Sequence, residues 1–205
     1  MYTEFRCSST NVGKGEERMQ DKRNQRSRAA LRRALVTLMK QKPLSKISIK
    51  ELCEEAQVNR STFYGSYADL YQLLKEVHEE LFHRMHAQLR GSYSQVWVMD
   101  PVGSREALTS IAEYMKQNRE LFVMFMQNND EQMFEGNLMH YFFERYADVL
   151  QTHNARGCFM YHCMGSFAVL CAWLLENCPT STEQVAEVLY QMSRTARPLM
   201  EKKKF

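Results

Sequence analysis

Residues 47–67 read ISIKELCEEAQVNRSTFYGSY, that is, Ile47 through Tyr67, and these 21 positions decide the fold. Ser48 is followed three residues later by Glu51, the spacing of a capping box, so a short helix opens at Ile49. Ile49, Leu52 and Ala56 give that helix an apolar stripe to about Ala56, and Ile47 sits where a hydrophobic staple would. Gln57 and Val58 form a tight turn. Asn59 is a favourable N-cap for a second helix, Arg60 to about Tyr64, which Gly65 and Ser66 end. Two short helices joined by a turn of three to four residues have the dimensions of a helix-turn-helix.

The pattern also sorts the second helix by face. Phe63 is its inward residue, pairing with Val58 and Leu52, and Tyr67 packs back. Arg60, Ser61, Thr62 and Tyr64 point outward. Arginine forks onto guanine edges, serine and threonine reach bases or phosphates, and a tyrosine hydroxyl bonds phosphate. The same outward face in a protein that binds nothing is a solvated helix surface, and the charge pattern is compatible with either a polyanion partner or a solvated basic tail. Residues 1–50 carry 13 Lys/Arg against 4 Asp/Glu, and the remainder 14 against 20, although the whole chain is only +3. A basic head on an acidic body points to a polyanion at the N-terminal end.

Working outward, a helix over Asn24–Gln41 precedes the motif, with Ala30, Leu31, Ala34, Leu35 and Leu38 at helical spacing, and Pro43 ends it. Asp69 caps a long helix to about Leu89. The chain loosens over Gly91–Val102. Five further helices follow at about Ser104–Gln117, Arg119–Gln127, Asp130–Gln151, Arg156–Asn177 and Ser181–Met200, the last opened by a second capping box, Ser181 with Gln184. The expected class is all-α: a three-helix helix-turn-helix domain followed by a larger helical domain, about nine helices in all. Residues 1–23 read as a disordered polar tail, 24–70 as the DNA-binding domain and 71–205 as the C-terminal domain.

Several classes are disfavoured. The 205 residues are 44% apolar, which suits a globular core. The most apolar run, Gly165–Leu175, is too short to cross a bilayer, and the first 20 residues lack the apolar segment of a secretion signal. Six cysteines, at positions 7, 53, 158, 163, 171 and 178, form no CxxC pair, and the last four lie in apolar helix. They indicate free thiols in a reducing cytoplasm. No nucleophile elbow, P-loop or HExxH motif occurs, so no catalytic residue, cofactor or enzyme activity is expected. His140 with Glu144, and Cys158 with His162, have i,i+4 spacing; two ligands do not make a metal site, and none is assigned.

The stretch from Asn24 to Leu74, and residues 47–67 above all, resembles the TetR/AcrR family of bacterial regulators, with its apolar spacing, two caps and Thr62-Phe63-Tyr64-x-x-aromatic signature. Cys163–Ser166 through Trp173–Leu175, followed by Ser181–Gln184, is similar to the last two helices of the same family. Three positions depart: Gln57 stands where the family has Gly in the turn, Cys53 replaces Ala, and Leu70 replaces a Lys that touches phosphate. A left-handed Gln57 costs about 1–2 kcal/mol relative to Gly.

The resemblance implies a DNA-binding transcriptional regulator: a ligand-responsive repressor that binds a palindromic operator as a homodimer in the cytoplasm. The alternative is a helical ligand-binding or protein-interaction module whose DNA binding has weakened, motivated by Gln57 and Leu70. The implied partners are double-stranded DNA, a second copy of the chain and a small-molecule effector, with no membrane. DNA contacts are expected at Arg26, Arg28, Ser48, Asn59, Arg60, Ser61, Thr62, Tyr64, Ser66 and Tyr67. The Met- and aromatic-rich middle helices suit an adaptable pocket, at Tyr114, Met115, Phe122, Met126, Tyr141, Phe142 and Tyr161. The dimer interface is expected at Gly165, Phe167, Leu170, Leu174, Val185, Val188 and Leu189.

Overall fold

The computed structural model describes residues 12–88, 105–127, 131–147, 151 and 153–201, without the side chains of 12–20, 131–132, 154–155 and 193–201. Among them lie nine α-helices and no strand: α1 (Val12–Met39), α2 (Ile49–Ala56), α3 (Arg60–Tyr64), α4 (Leu70–Ala87), α5 (Arg105–Gln117), α6 (Arg119–Gln127), α7 (Glu131–Arg145), α8 (His153–Leu175) and α9 (Thr182–Glu201). A 3-10 turn, Leu44–Lys46, links α1 to α2. The chain divides into two compact units between Leu74 and Lys75, so α4 begins in the first and ends in the second.

In the first unit, Leu31, Ala34, Leu35 and Leu38 of α1 are buried with Leu44, Ile47, Leu52, Phe63, Tyr67 and Leu73. Each fully buried Leu or Phe side chain contributes about 1.5–3 kcal/mol of apolar transfer. One expectation is corrected here. Of the tail over 1–23, the stretch from Val12 onward is helical and continuous with the rest of α1, with Gly13 and Gly15 in its first turn. Residues 1–11 lie outside the described part.

The caps follow the sequence, with one added partner. Ser48 Oγ accepts the Glu51 amide at 3.2 Å. The Glu51 carboxylate bonds back to the Ser48 backbone, the second arm of the capping box, and also receives Lys42 Nζ at 2.7 Å, tying the end of α1 to α2. Lys42 also holds that carboxyl below the usual carboxylate range. Asp69 Oδ1 accepts the Gln72 amide at 2.8 Å, while Gln72 Oε1 accepts Ala68 N–H at 2.7 Å, so the start of α4 carries a reciprocal cap. Asn59 sits at the N-cap of α3 with extended backbone, yet its side chain makes no cap hydrogen bond.

In the second unit, α9 packs on α5 and α8. Arg105 of α5 pairs with Glu187 of α9 at 2.6 Å and stacks over Tyr190, 4.8 Å from its ring centre. The α8–α9 corner is built from two consecutive left-handed residues, Asn177 (φ 63°) and Cys178 (φ 55°). Trp173 Nε1 donates to the Thr180 carbonyl at 3.2 Å, and Arg119 Nε donates to the Leu174 carbonyl at 2.8 Å, satisfying an orphan acceptor at the helix end. Ser181 and Gln184 form the full capping box, each side chain accepting the other's amide at 3.3 and 3.0 Å.

Helix ends in this unit differ from the periodic reading. α7 stops at Arg145 rather than Gln151, where Tyr146 turns in against Phe142 and Phe159. α8 starts at His153, three residues early, and stops at Leu175. The expected loop at 91–102 lies outside the described residues. Residues Arg156–Leu175 are, by length and composition, long and apolar enough to cross a membrane, contrary to the shorter run expected. Reading only Gly165–Leu175 missed that Cys158 to Cys163 continues the apolar character. Part of this helix is packed inside the unit, through Phe159, Cys163, Phe167, Leu170, Trp173 and Leu174.

Candidate nucleic-acid interface and helical body

α2, the turn and α3 form the candidate DNA-reading element. Gln57 ends α2 in the left-handed conformation, φ 55° and ψ 42°, with its amide bonded back into α2. That backbone state is one glycine adopts freely, so Gln57 holds the turn at a cost in strain. Val58 N–H bonds the Cys53 carbonyl at 3.0 Å, which closes the corner. The Cys53 side chain is buried, and burial raises its thiol pKa.

Phe63 is fully buried and makes edge contact with Tyr64 (centroids 5.4 Å) and a tilted contact with Tyr67 (5.7 Å). It anchors α3 from behind. Tyr64 is 59% exposed, and Asn59, Arg60 and Ser61 are exposed, while Thr62 and Ser66 are half-buried. Arg26 is exposed on α1. The structure therefore leaves Arg60, Ser61 and Tyr64 presented to solvent on a five-residue helix.

Tyr67 is corrected as a direct DNA contact. It is buried, and its hydroxyl accepts Arg28 Nε at 3.2 Å, with the Arg28 guanidinium 5.6 Å from the centre of its ring. An aromatic ring this deep is core. Ser48 has its hydroxyl engaged by the α2 cap. Exposed Lys46 and Lys50, on the 3-10 turn and the first turn of α2, and Tyr71 at the start of α4 were not singled out from the sequence. The net basic charge of residues 1–50 was the signal that contained the two lysines.

In the second unit, a small cavity of about 40 Å³ lies among α4, α5, α7 and α8. Of the expected pocket residues, Met115 and Phe142 line it. Tyr161 is 74% exposed and faces away from the core. Phe122 is fully buried core, and Tyr114, Met126 and Tyr141 do not line the cavity. Aromatic and Met residues at helical spacing fill the body itself, which periodicity alone cannot separate from a pocket. Residues missed as lining include Met85, His86, Leu138 and Ser166.

The expected interface residues also divide. Phe167, Leu170, Leu174, Val185 and Leu189 are buried within the chain, and Phe167 and Leu170 line the cavity. Gly165 and Val188 are exposed. Both helices are apolar on more than one side, so their inward and outward residues looked alike in sequence.

His78 was given no role from sequence. It is fully buried, 4.5 Å from Phe125 and 4.8 Å from Phe134 between ring centres, nearly perpendicular to the first. Asn137 Nδ2 lies 3.0 Å from His78 Nδ1; the amide nitrogen donates, so the ring is neutral with its proton on Nε2. Burial lowers its pKa to about 3. No group of three or more His, Cys, Asp or Glu suited to a metal ion occurs among the described residues.

Comparison with known proteins places this geometry. Residues 104–195 match the family model described as a transcriptional regulator C-terminal region, of the TetR type. The chain is 21% identical over 166 residues to the HTH-type transcriptional regulator YxbF of Bacillus subtilis strain 168, a match that covers 80% of this chain and 44% of YxbF. The chain thus spans less than half the length of that relative. Among solved structures, a TetR transcriptional regulator from Streptococcus agalactiae superposes with a TM-score of 0.60 at 22% identity, covering 86% of this chain and 98% of that one. The dihydroxyacetone kinase operon activator DhaS superposes with a TM-score of 0.50 at 16% identity, covering 84% and 97%. Helix-turn-helix geometry at one end, the family match over residues 104–195 and the shared fold agree: the chain is similar to the TetR transcriptional regulators in fold and in its C-terminal region.

Proposed function

We propose that the protein regulates transcription by binding a palindromic operator as a homodimer, reading bases in the major groove with Arg60, Ser61 and Tyr64 of α3. The observation that carries this reading is the outward presentation of those three side chains over a fully buried Phe63. Asn59, Thr62, Ser66, Arg26 and Arg28 flank that face, and Lys46 and Lys50 add positive charge for the phosphates. Dimerisation is supported by a stripe on α8, where Tyr161, Gly165, Ala168, Ala172 and Leu175 are exposed at helical spacing, and by exposed Val188 and Met192 on α9. Two-fold pairing would set the recognition helices one DNA turn or a multiple apart, ~34 Å.

The body acts as the sensor. A small-molecule effector shifts the balance between DNA-binding and non-binding states in proportion to its preference for one of them, about 10⁴-fold for a complete reversal from 99:1 to 1:99. α4 is one continuous helix shared by the two units and so is the covalent path between them. The protein works as a repressor in the cytoplasm by occupying the operator; the fold is also that of DhaS, which is named as an activator. Operator position relative to the promoter fixes the sign.

The test is selection of bound duplexes from a random pool, followed by titration of the enriched site with wild type and Arg60→Ala. An enriched inverted repeat and a loss of about 1–3 kcal/mol in affinity for Arg60→Ala, with dimerisation and helix content intact, are expected. Absence of any enriched sequence, or a wild-type affinity with no steep salt dependence, would instead favour a helical interaction module without DNA function.

A further inference from the structure

We infer that the cavity among α4, α5, α7 and α8 takes an uncharged, predominantly apolar small molecule with no more than one or two hydrogen-bonding groups. This rests on the reading of the body as a sensor and adds the chemical class of what it senses. Leu108 and Ile111 of α5, Leu138 of α7 and Phe167 and Leu170 of α8 form its apolar wall, and no Asp, Glu, Lys or Arg lines it. An ionised ligand there would lose its hydration without gaining a counter-charge, at a cost of several kcal/mol.

The three polar lining residues are also uncharged. His86 Nε2 is engaged by the Tyr146 hydroxyl at 2.6 Å, and burial, with Arg145 and His83 nearby, lowers its pKa to about 4. Burial pushes the Cys163 thiol up to about 12, which keeps it protonated and unreactive. Ser166, half-buried, supplies a hydroxyl.

Size narrows the class further. The cavity holds about 40 Å³, whereas an aliphatic cavity of about 150 Å³ accommodates benzene. A ligand must therefore displace side chains. Met85 and Met115 line the space and are unbranched, with several rotatable bonds, so they yield where a β-branched wall would not. The occupant is small, and its entry moves residues on the helices that build the body.

The test uses the full chain and four molecules that share one ring: toluene, benzyl alcohol, benzoate and benzylammonium. Binding is read by calorimetry and thermal shift at pH 7, on wild type, Leu138→Phe, which fills the cavity, and Met115→Ala, which enlarges it. Toluene and benzyl alcohol are expected to bind at least tenfold more tightly than either ion. Leu138→Phe should weaken them at least tenfold, and Met115→Ala should tighten toluene. Should Leu138→Phe fail to fold, Met115→Ala decides alone. Equal or tighter binding of an ion, indifference of the neutral ligands to the folded variants, or no binding even by Met115→Ala overturns the assignment. Duplex binding is measured in parallel without ligand: if it persists, only the ligand class has failed, and if it is absent, the regulator reading has failed.

Discussion

Arg28 on α1 donates its Nε hydrogen to the hydroxyl of Tyr67, 39 residues on and just beyond α3, at 3.2 Å. The bond closes the three-helix unit across its two ends in sequence. The hydroxyl is the only polar part of a ring otherwise packed against Phe63.

Tyr67→Phe removes that bond and keeps the ring. Chemical denaturation should show a loss of about 0.5–1.5 kcal/mol. Operator affinity should change less than in Arg60→Ala, because Tyr67 is buried. A loss as large as that of Arg60→Ala would show that Arg28 is positioned for the phosphates by Tyr67.

Gln57→Gly relieves a left-handed backbone at φ 55°. The variant should gain about 1 kcal/mol, the left-handed penalty less the extra entropy glycine loses on folding. Its melting temperature should rise with affinity for DNA unchanged. A melting temperature that falls would mean that the Gln57 side chain contributes contacts outweighing its backbone strain.

The sign of the pH dependence follows from His78. Its folded pKa, about 3, lies below the ordinary 6.5, so the unfolded chain binds the proton more readily. Stability is fully present above pH 6.5 and declines between pH 6.5 and 3, at up to about 1.4 kcal/mol per pH unit for this one group. Equilibrium unfolding from pH 7 to 4.5 should show that slope, and His78→Phe should flatten it by about one proton. His86, whose pKa is also lowered, to about 4, and His162 titrate in the same direction, so a residual slope remains.

Ser181→Ala breaks a reciprocal cap, whereas Ser48→Ala breaks one whose Glu51 carboxylate is also held by Lys42. Each N-cap loss costs about 0.5–2 kcal/mol. Thermal denaturation should place Ser181→Ala at the larger end, since the Lys42–Glu51 pair still holds the start of α2 when Ser48 is truncated. Equal losses would show that the Lys42–Glu51 pair does not support the start of α2.

The first unit was legible almost residue by residue because caps, a turn and a single inward aromatic act locally. Ser48, Asp69 and Phe63 do what their spacing requires. Misreadings arose where long-range packing decides. Tyr67 packs back as its spacing requires, and the same burial, against Phe63 and Arg28, is what sets it apart from the other expected DNA contacts. Phe167 and Leu170 on α8 are indistinguishable in periodicity from Ala168 and Ala172, yet the first pair closes the cavity and the second faces out. Polar residues before Asn24 hid a helix because their apolar stripe had not begun. Glu51 takes Lys42 as a second partner beside Ser48, a contact that spacing along one helix cannot express.

Arg156–Leu175 matches the span of a lipid bilayer in length and character, although one side of it fills the protein's own core. Any lesion that loosens the body thus exposes a long apolar segment. Damage there should be felt first as misrouting, chaperone capture or degradation of the nascent chain, and as a lower cellular dose of regulator, before any change in how the surviving molecules recognise DNA.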